Sequence, residues 1–233
     1  ETDYTLTHTG DLVNVGRVKV TVTGKGNYTG SFELSYQITK RKVSLTSASD
    51  EKVYDGNPLT NSKVTVGKLG FAEKEGATYN VTGTITDVGT KNNTFTYTLN
   101  EGTLASNYDI ETHEGTLKVT PVTDKVTVKI SGHTDTVTYD GKPHVVEGYE
   151  VKEVSNPLYN RSNIRFTGAA KAEGTEVATY PMNLTSAQFS NSSANFTDVK
   201  FVVTDGSLTI APKSIVPDGP DTPDEKKTGI KAT

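Results

Sequence analysis

"VYDGNPLT" occupies residues 53–60 and "TYDGKPHV" residues 138–145, so Tyr, Asp, Gly and Pro return at the same four places 85 residues later. This octet is either a reacting group present twice or the punctuation of a duplicated fold. Asp bonds readily to backbone just ahead of it and Gly takes positive φ without steric cost, so Asp55-Gly56 and Asp140-Gly141 read as turns. Pro58 and Pro143 hold the residue before them extended. Tyr54 and Tyr139 are expected to lay their rings on the core beside the turn, each hydroxyl reaching a backbone group or water. Turn chemistry accounts for every fixed residue, and sugar stacking by these tyrosines is the lesser alternative.

Outward from the octet, the 85-residue shift also aligns Thr82-Gly83 with Thr167-Gly168, Gly89-Thr90 with Gly174-Thr175, Phe95 with Tyr180 and Leu99 with Leu184. Asn107-Tyr108 then meets Asn195-Phe196 at a shift of 88, and "EGTLKVTP" (114–121) meets "DGSLTIAP" (205–212) at 91. Residues 42–122 and 123–213 therefore read as two copies of one unit, opening "KVSL" and "KVTV" and closing before Pro121 and Pro212. Residues 1–41 read as the back half of a third copy, with Asn14-Val15-Gly16 in the place of 87–89, which implies a longer parent protein. Residues 214–233, rich in Pro and acid, read as a linker whose last residues, "GIKAT", are a possible start of another strand.

Thirty-eight Thr and twenty-five Val among 233 residues favour strands, because β-branched side chains suit a pleated surface better than a helix. The pattern is period two: Val18, Val20 and Val22; Phe32, Leu34, Tyr36 and Ile38; Phe95, Tyr97 and Leu99. One buried and one wet face predict antiparallel sheet. With 33 % apolar residues and no Trp, the cores are expected to be thin. "LGFAEKEGA" (69–77) is the one stretch with room for a short helix.

A net charge of −4 argues against nucleic acid as a partner, and no apolar run is long enough to insert in a membrane. With no Cys there are no disulfides, thiolate nucleophiles or zinc-thiolate sites. "TGKGNYTG" (23–30) nearly matches a dinucleotide fingerprint, but a strand follows where a helix is required, so it reads as a hairpin loop. Ser49-x-x-Lys52 reads as chance, lacking its companion motifs. His8, His113, His133 and His144 show no metal or triad spacing, and Leu59 stands where the other copy has His144. The acidic cluster 218–225 is broken by Pro220 and Pro223 and reads as solvated charge, not a calcium loop. A Lys–Asn amide cross-link beside a buried acid is a further possibility, but the sequence nominates no pair. No catalytic residue, cofactor or metal ligand is assigned.

The two Tyr-Asp-Gly octets, the "GKGNYTG" hairpin and the closing "GTLKVTP" and "GSLTIAP" strands resemble the MBG-type repeats of bacterial cell-surface adhesins over residues 1–213. The resemblance implies an all-β chain of small antiparallel-sheet domains, β-grasp-like with a short helix or Ig-like, strung in an elongated tandem array. It implies an extracellular, wall-anchored location and a non-catalytic stalk, monomeric, in contact with neighbouring repeats. Two alternatives stay open: a mucin- or host-glycan-binding module, with Tyr28, Tyr79 and Tyr159 as exposed stacking residues, and accessory repeats of a secreted carbohydrate-active enzyme.

Overall fold

The computed structural model describes residues 3–215 of the chain. The chain is all-β, and it divides into one compact unit over Glu1–Val122 and a second over Thr123–Thr233. Most of the linker, the acidic cluster 218–225 and "GIKAT" lie outside the described residues.

The first unit opens with β1 (Tyr4–Thr9), β2 (Gly16–Gly24) and β3 (Ser31–Ile38), an antiparallel meander in that order. There follow β4 (Arg41–Ser47), β5 (Asp50–Val53), β6 (Val64–Val66), β7 (Ala77–Val81), β8 (Gly89–Asn93), β9 (Phe95–Leu99), β10 (Tyr108–His113) and β11 (Gly115–Thr120). The pairs β4–β5 and β10–β11 are each one long excursion that breaks in the middle and changes sheet. β4 joins a sheet ordered β10-β4-β6, and β5 a sheet ordered β5-β11-β8, while β7 and β9 form a separate antiparallel pair.

The change of sheet brings two backbones together. A Cβ on Gly115 would lie 2.4 Å from the Ser47 carbonyl oxygen, so only glycine fits where β11 leaves the corner.

The second unit follows the same scheme with β12 (Val126–Gly132), β13 (Thr134–Thr138), β14 (His144–Glu147), β15 (Tyr149–Val154), β16 (Ile164–Phe166), β17 (Lys171–Gly174), β18 (Ala178–Pro181), β19 (Phe189–Asn191), β20 (Val199–Thr204) and β21 (Ser207–Ala211). Its main sheets are ordered β15-β12-β20 and β13-β21-β18. Gly206 stands at the corner, its hypothetical Cβ 2.3 Å from the His133 carbonyl oxygen.

Three expectations are corrected. The sheets are mixed: β4 with β10, β5 with β11, β12 with β20 and β13 with β21 are parallel. A parallel partner needs a long crossover, and here that crossover is the whole body of the unit. Residues 69–77 form no helix; Gly70 and Lys74 take positive φ and break the stretch into turns. The helical content of the described residues is three single-turn 3-10 segments, at 105–107, 161–163 and 186–188.

The third correction concerns alignment. Val119 faces Gly89, and Ile210, its counterpart 91 residues on, faces Ala178 and not Gly174. Gly174 instead pairs with His144. Likewise Val43 faces Ile110 and Val128 faces Phe201, so Lys42 corresponds to Thr127, not to Lys125.

The cores are thin. Val43, Leu45 and Tyr108 are buried beneath Phe71, Tyr79 and Phe95, with the Phe71 and Tyr108 rings edge to face at 5.1 Å. Leu59, Leu117 and Val119 form a second small cluster. In the second unit Leu208 and Ile210 pack with Ala172, Met182 and Leu184, beside an aromatic group of Tyr149, Phe166, Phe189 and Phe201. Each buried Leu or Ile contributes about 1.5–3 kcal/mol.

Candidate functional site

The octets are the natural place to look for chemistry, and their geometry is that of a turn. Asp55 Oδ1 accepts the backbone N–H of Asn57 at 2.9 Å, and Gly56 sits at φ +80° between them. Asp140 Oδ1 accepts the N–H of Lys142 at 2.9 Å, with Gly141 at φ +74°. These are Asx turns, and the positive φ explains the glycines. Leu59, just after Pro58, bridges to Ile85; His144, just after Pro143, begins β14.

The tyrosines anchor the turn to the sheet. The N–H of Tyr54 donates to the Thr120 carbonyl and that of Tyr139 to the Ala211 carbonyl, each at 2.8 Å. Both rings pack on the core, Tyr54 against the Leu117 cluster and Tyr139 against the Leu208 cluster.

Each turn carboxylate also has a side-chain donor. Lys52 Nζ donates to Asp55 Oδ1 at 2.6 Å and to the Asn57 carbonyl at 2.7 Å. In the second unit, where Val137 takes the place of Lys52, His144 Nε2 lies 2.9 Å from Asp140 Oδ1. The Lys52 hydrogen bond, then the Asn57 N–H, holds the Asp55 carboxyl below the ordinary range. The His144 hydrogen bond, then the Lys142 N–H, does the same for Asp140. A carboxyl whose pKa is held down in this way gives up its proton too readily to serve as a general acid near neutral pH.

The other sequence candidates resolve in the same direction. "GKGNYTG" closes the β2–β3 hairpin, with Gly24 N–H donating to the Gly30 carbonyl at 2.9 Å. Ser49 Oγ accepts the Thr116 N–H at 2.9 Å, while Lys52 is committed to the turn, so the Ser-x-x-Lys spacing makes no dyad. Among the described residues no three His, Cys, Asp or Glu side chains stand together as a metal site, and no helix is long and apolar enough to cross a membrane.

Of the three tyrosines expected to be exposed, only Tyr28 is. It is 60 % exposed and lines, with Tyr4 and Phe32, an open depression of about 460 Å³ on the first sheet. Tyr79 is half-buried against the Val43 cluster. Tyr159 is 4 % exposed, its ring 5.3 Å from Phe196 and its hydroxyl donating to Asn191 Oδ1 at 3.0 Å. Burial pushes the Tyr159 hydroxyl up from its ordinary pKa. The Tyr159 ring is therefore not free to stack on a sugar, and the Tyr79 ring is partly covered by the core it packs against.

Sequence reasoning missed the buried pair Ser47 and Asn93, which lies at the sheet-switching corner of the first unit. At the register the ladders define, Asn93 corresponds to Met182, an apolar residue; that pairing was the available signal, and the misaligned shift hid it.

No family model matches the chain, and neither a curated protein nor a solved structure is significantly similar to it.

Proposed function

We propose that this chain is a non-catalytic repeat region of a bacterial cell-surface protein, a stalk of tandem β modules that carries tension between the cell and an adhesive part. The observation that supports this reading is where the parallel pairs fall. In residues 42–122 the entering strands β4 and β5 pair in parallel with the leaving strands β10 and β11. In residues 123–213 the entering β12 and β13 pair in parallel with the leaving β20 and β21. Force applied to the two ends of such a module draws parallel neighbours past each other, loading a whole ladder of hydrogen bonds at once and not one after another. An enzyme or a small-ligand receptor has no need of this arrangement twice over. The resemblance to surface-adhesin repeats points the same way, and on this reading the octets are fastening turns that tie each entering strand to the body of its module.

Pulling single molecules by their ends tests the proposal. The expected record shows one discrete, high-force rupture for each complete module. Smooth extension at low force would count against a tension-bearing stalk.

A second reading rests on one residue. Tyr28, beside Tyr4 and Phe32, presents an aromatic surface to solvent and could stack on host glycans. A glycan array probed with the intact chain and with Tyr28→Ala separates this binding module from a passive stalk.

A further inference from the structure

The covalent link between the β1–β3 sheet and the strands that follow it is slight. β3 ends at Ile38 and β4 begins at Arg41, with Thr39 and Lys40 between them outside any strand. Each such residue has two soft backbone torsions, so the pieces on either side can swing unless something else ties them. The ladders show where a second tie has to lie. Gly16 faces Ile38 across β2 and β3, and Tyr108 faces Arg41 across β10 and β4. Val15 and Asn107, one residue before each of those partners, therefore flank the Thr39-Lys40 gap on the neighbouring strands.

An amide clasp closes that flank. The Val15 N–H donates to Asn107 Oδ1 at 3.0 Å, and Asn107 Nδ2 donates to Asn14 Oδ1 at 2.7 Å. All three residues are half-buried. Each amide has one orientation open to it. The Val15 N–H can only donate, which turns Asn107 Oδ1 toward it and leaves Nδ2 for Asn14. The Asp11 carboxylate can only accept, and by taking Asn14 Nδ2 it turns Asn14 Oδ1 toward Asn107. Asp11 Oδ1 also accepts the N–H groups of Val13 and Asn14, at 2.8 and 3.0 Å, so the loop that carries Asn14 is folded on a charged acceptor of its own. On the other side Asn107 closes a single-turn 3-10 segment, its N–H bonded to the Leu104 carbonyl at 2.9 Å, and Tyr108 beside it is 4 % exposed in the Val43 core. Both halves of the clasp are set before they meet, so little freedom is lost in closing it.

We propose that the turn ahead of β10 is a docking seat whose occupant is the Asp11–Val15 loop of the same chain, and that Asn107, by its two-point contact with that loop, braces the Thr39-Lys40 connection against bending. Asn107 is a positioning residue: it binds no ligand and sets how the β1–β3 sheet stands on the strands that follow. Hydrogen bonds suit this task because they are directional, whereas an apolar contact of the same size lets its partners slide. The use of such a brace, keeping a tension-bearing array extended, rests on the stalk reading. The brace itself does not.

The test measures amide residual dipolar couplings and amide exchange on the intact, isotope-labelled chain. In the wild type the couplings of β2 and β3 and those of β4 and β10 are expected to fit one alignment tensor. In Asn107→Ala they are expected to need two, and exchange at the Val15 amide to quicken by about tenfold or more. Asn14→Ala opens the clasp from the other side without touching the β10 turn and is expected to release the sheet as well, while unchanged exchange in β4 and β10 shows that the strands beyond the joint stay folded. Asn107→Asp has nearly the same size and keeps an acceptor for Val15 but loses the donor to Asn14, so an intermediate release is expected; a side chain that only filled space would leave this variant like wild type. The proposal is overturned if the wild type already needs two tensors, if Asn14→Ala keeps one, or if Asn107→Asp behaves as wild type. Low rupture forces together with a single wild-type tensor would end the stalk reading and leave the brace in place.

Discussion

Ser47 Oγ donates to the backbone carbonyl of Asn93 at 2.6 Å, and both side chains are closed off from water. The same hydroxyl accepts the Gly115 N–H at 2.9 Å, and Asn93 Nδ2 donates to the carbonyls of Ala48 and Asn61 at 2.9 and 2.8 Å. Four segments are thereby knotted where the strands change sheet. In the second unit Gly132 replaces Ser47 and Met182 replaces Asn93, so the equivalent corner is closed by apolar contact. One fold position has two solutions, and only the polar one leaves unpaired groups behind when it is broken.

Asn93→Ala is therefore expected to destabilise the first unit by about 2–4 kcal/mol, since it takes the amide donor from the part-buried carbonyls of Ala48 and Asn61 and opens a cavity. Urea unfolding of the variant chain, followed by a probe in each unit, checks this. The second unit should keep its own midpoint.

Gly83→Ala strikes the same corner from the other side. The added Cβ would lie 2.3 Å from Asn93 Oδ1 and 2.6 Å from Asn93 Cα, and the second of these is backbone that cannot swing away. The expected loss is about 2–3 kcal/mol, the upper part of the usual range for overpacking. Thermal unfolding of G83A against wild type measures it, and an unchanged midpoint would mean that the corner is looser than these distances imply.

Acid should weaken the turns. The carboxyls of Asp55 and Asp140 are depressed in the folded chain, by the Lys52 and His144 hydrogen bonds foremost. Each therefore binds its proton more weakly folded than unfolded. Its stabilising contribution is whole above the ordinary Asp pKa of about 4 and is lost as pH falls through the lower folded value. Urea midpoints taken from pH 6 down to pH 2 should fall across that window. The fall should be smaller in D55N/D140N, which keeps the Oδ1 acceptor of each turn but cannot titrate; an identical acid limb would remove these two groups from the account.

Tyr28 and Tyr159 should behave as opposites. Tyr159→Ala is expected to cost about 3–5 kcal/mol, as for other buried aromatic truncations. Tyr28→Ala should stay within about 0.5 kcal/mol of wild type. Denaturant titration of both variants decides it.

Strands were legible in this sequence because β-branched residues at period two leave little else to choose, and the octets were legible as turns because Asp, Gly and Pro each act on backbone within two residues. Parallel pairing was not. It depends on which strands meet after a crossover of some sixty residues, and alternation reads the same in either direction. The exposure of Phe32, Leu34 and Tyr36 was invisible for a related reason: period two marks which side chains share a face but not how much lies over each of them. Tyr79 and Tyr159 were misjudged because a tyrosine suits a core with one polar neighbour as well as it suits a surface. Asn93 escaped notice because a buried amide looks like a loop residue until its ladder partner is known.

The tension-bearing reading stands most directly on one comparison in the second unit. The chain has no Cys, so handles can be placed at will. Handles beyond residues 123 and 213 load β12 against β20 in shear. Handles at Lys125→Cys and Lys200→Cys, near the starts of the same two parallel strands, peel that ladder open bond by bond. The account predicts a rupture force several-fold higher for the first geometry than for the second. Equal forces in the two geometries, or a lower one between the ends, would contradict it.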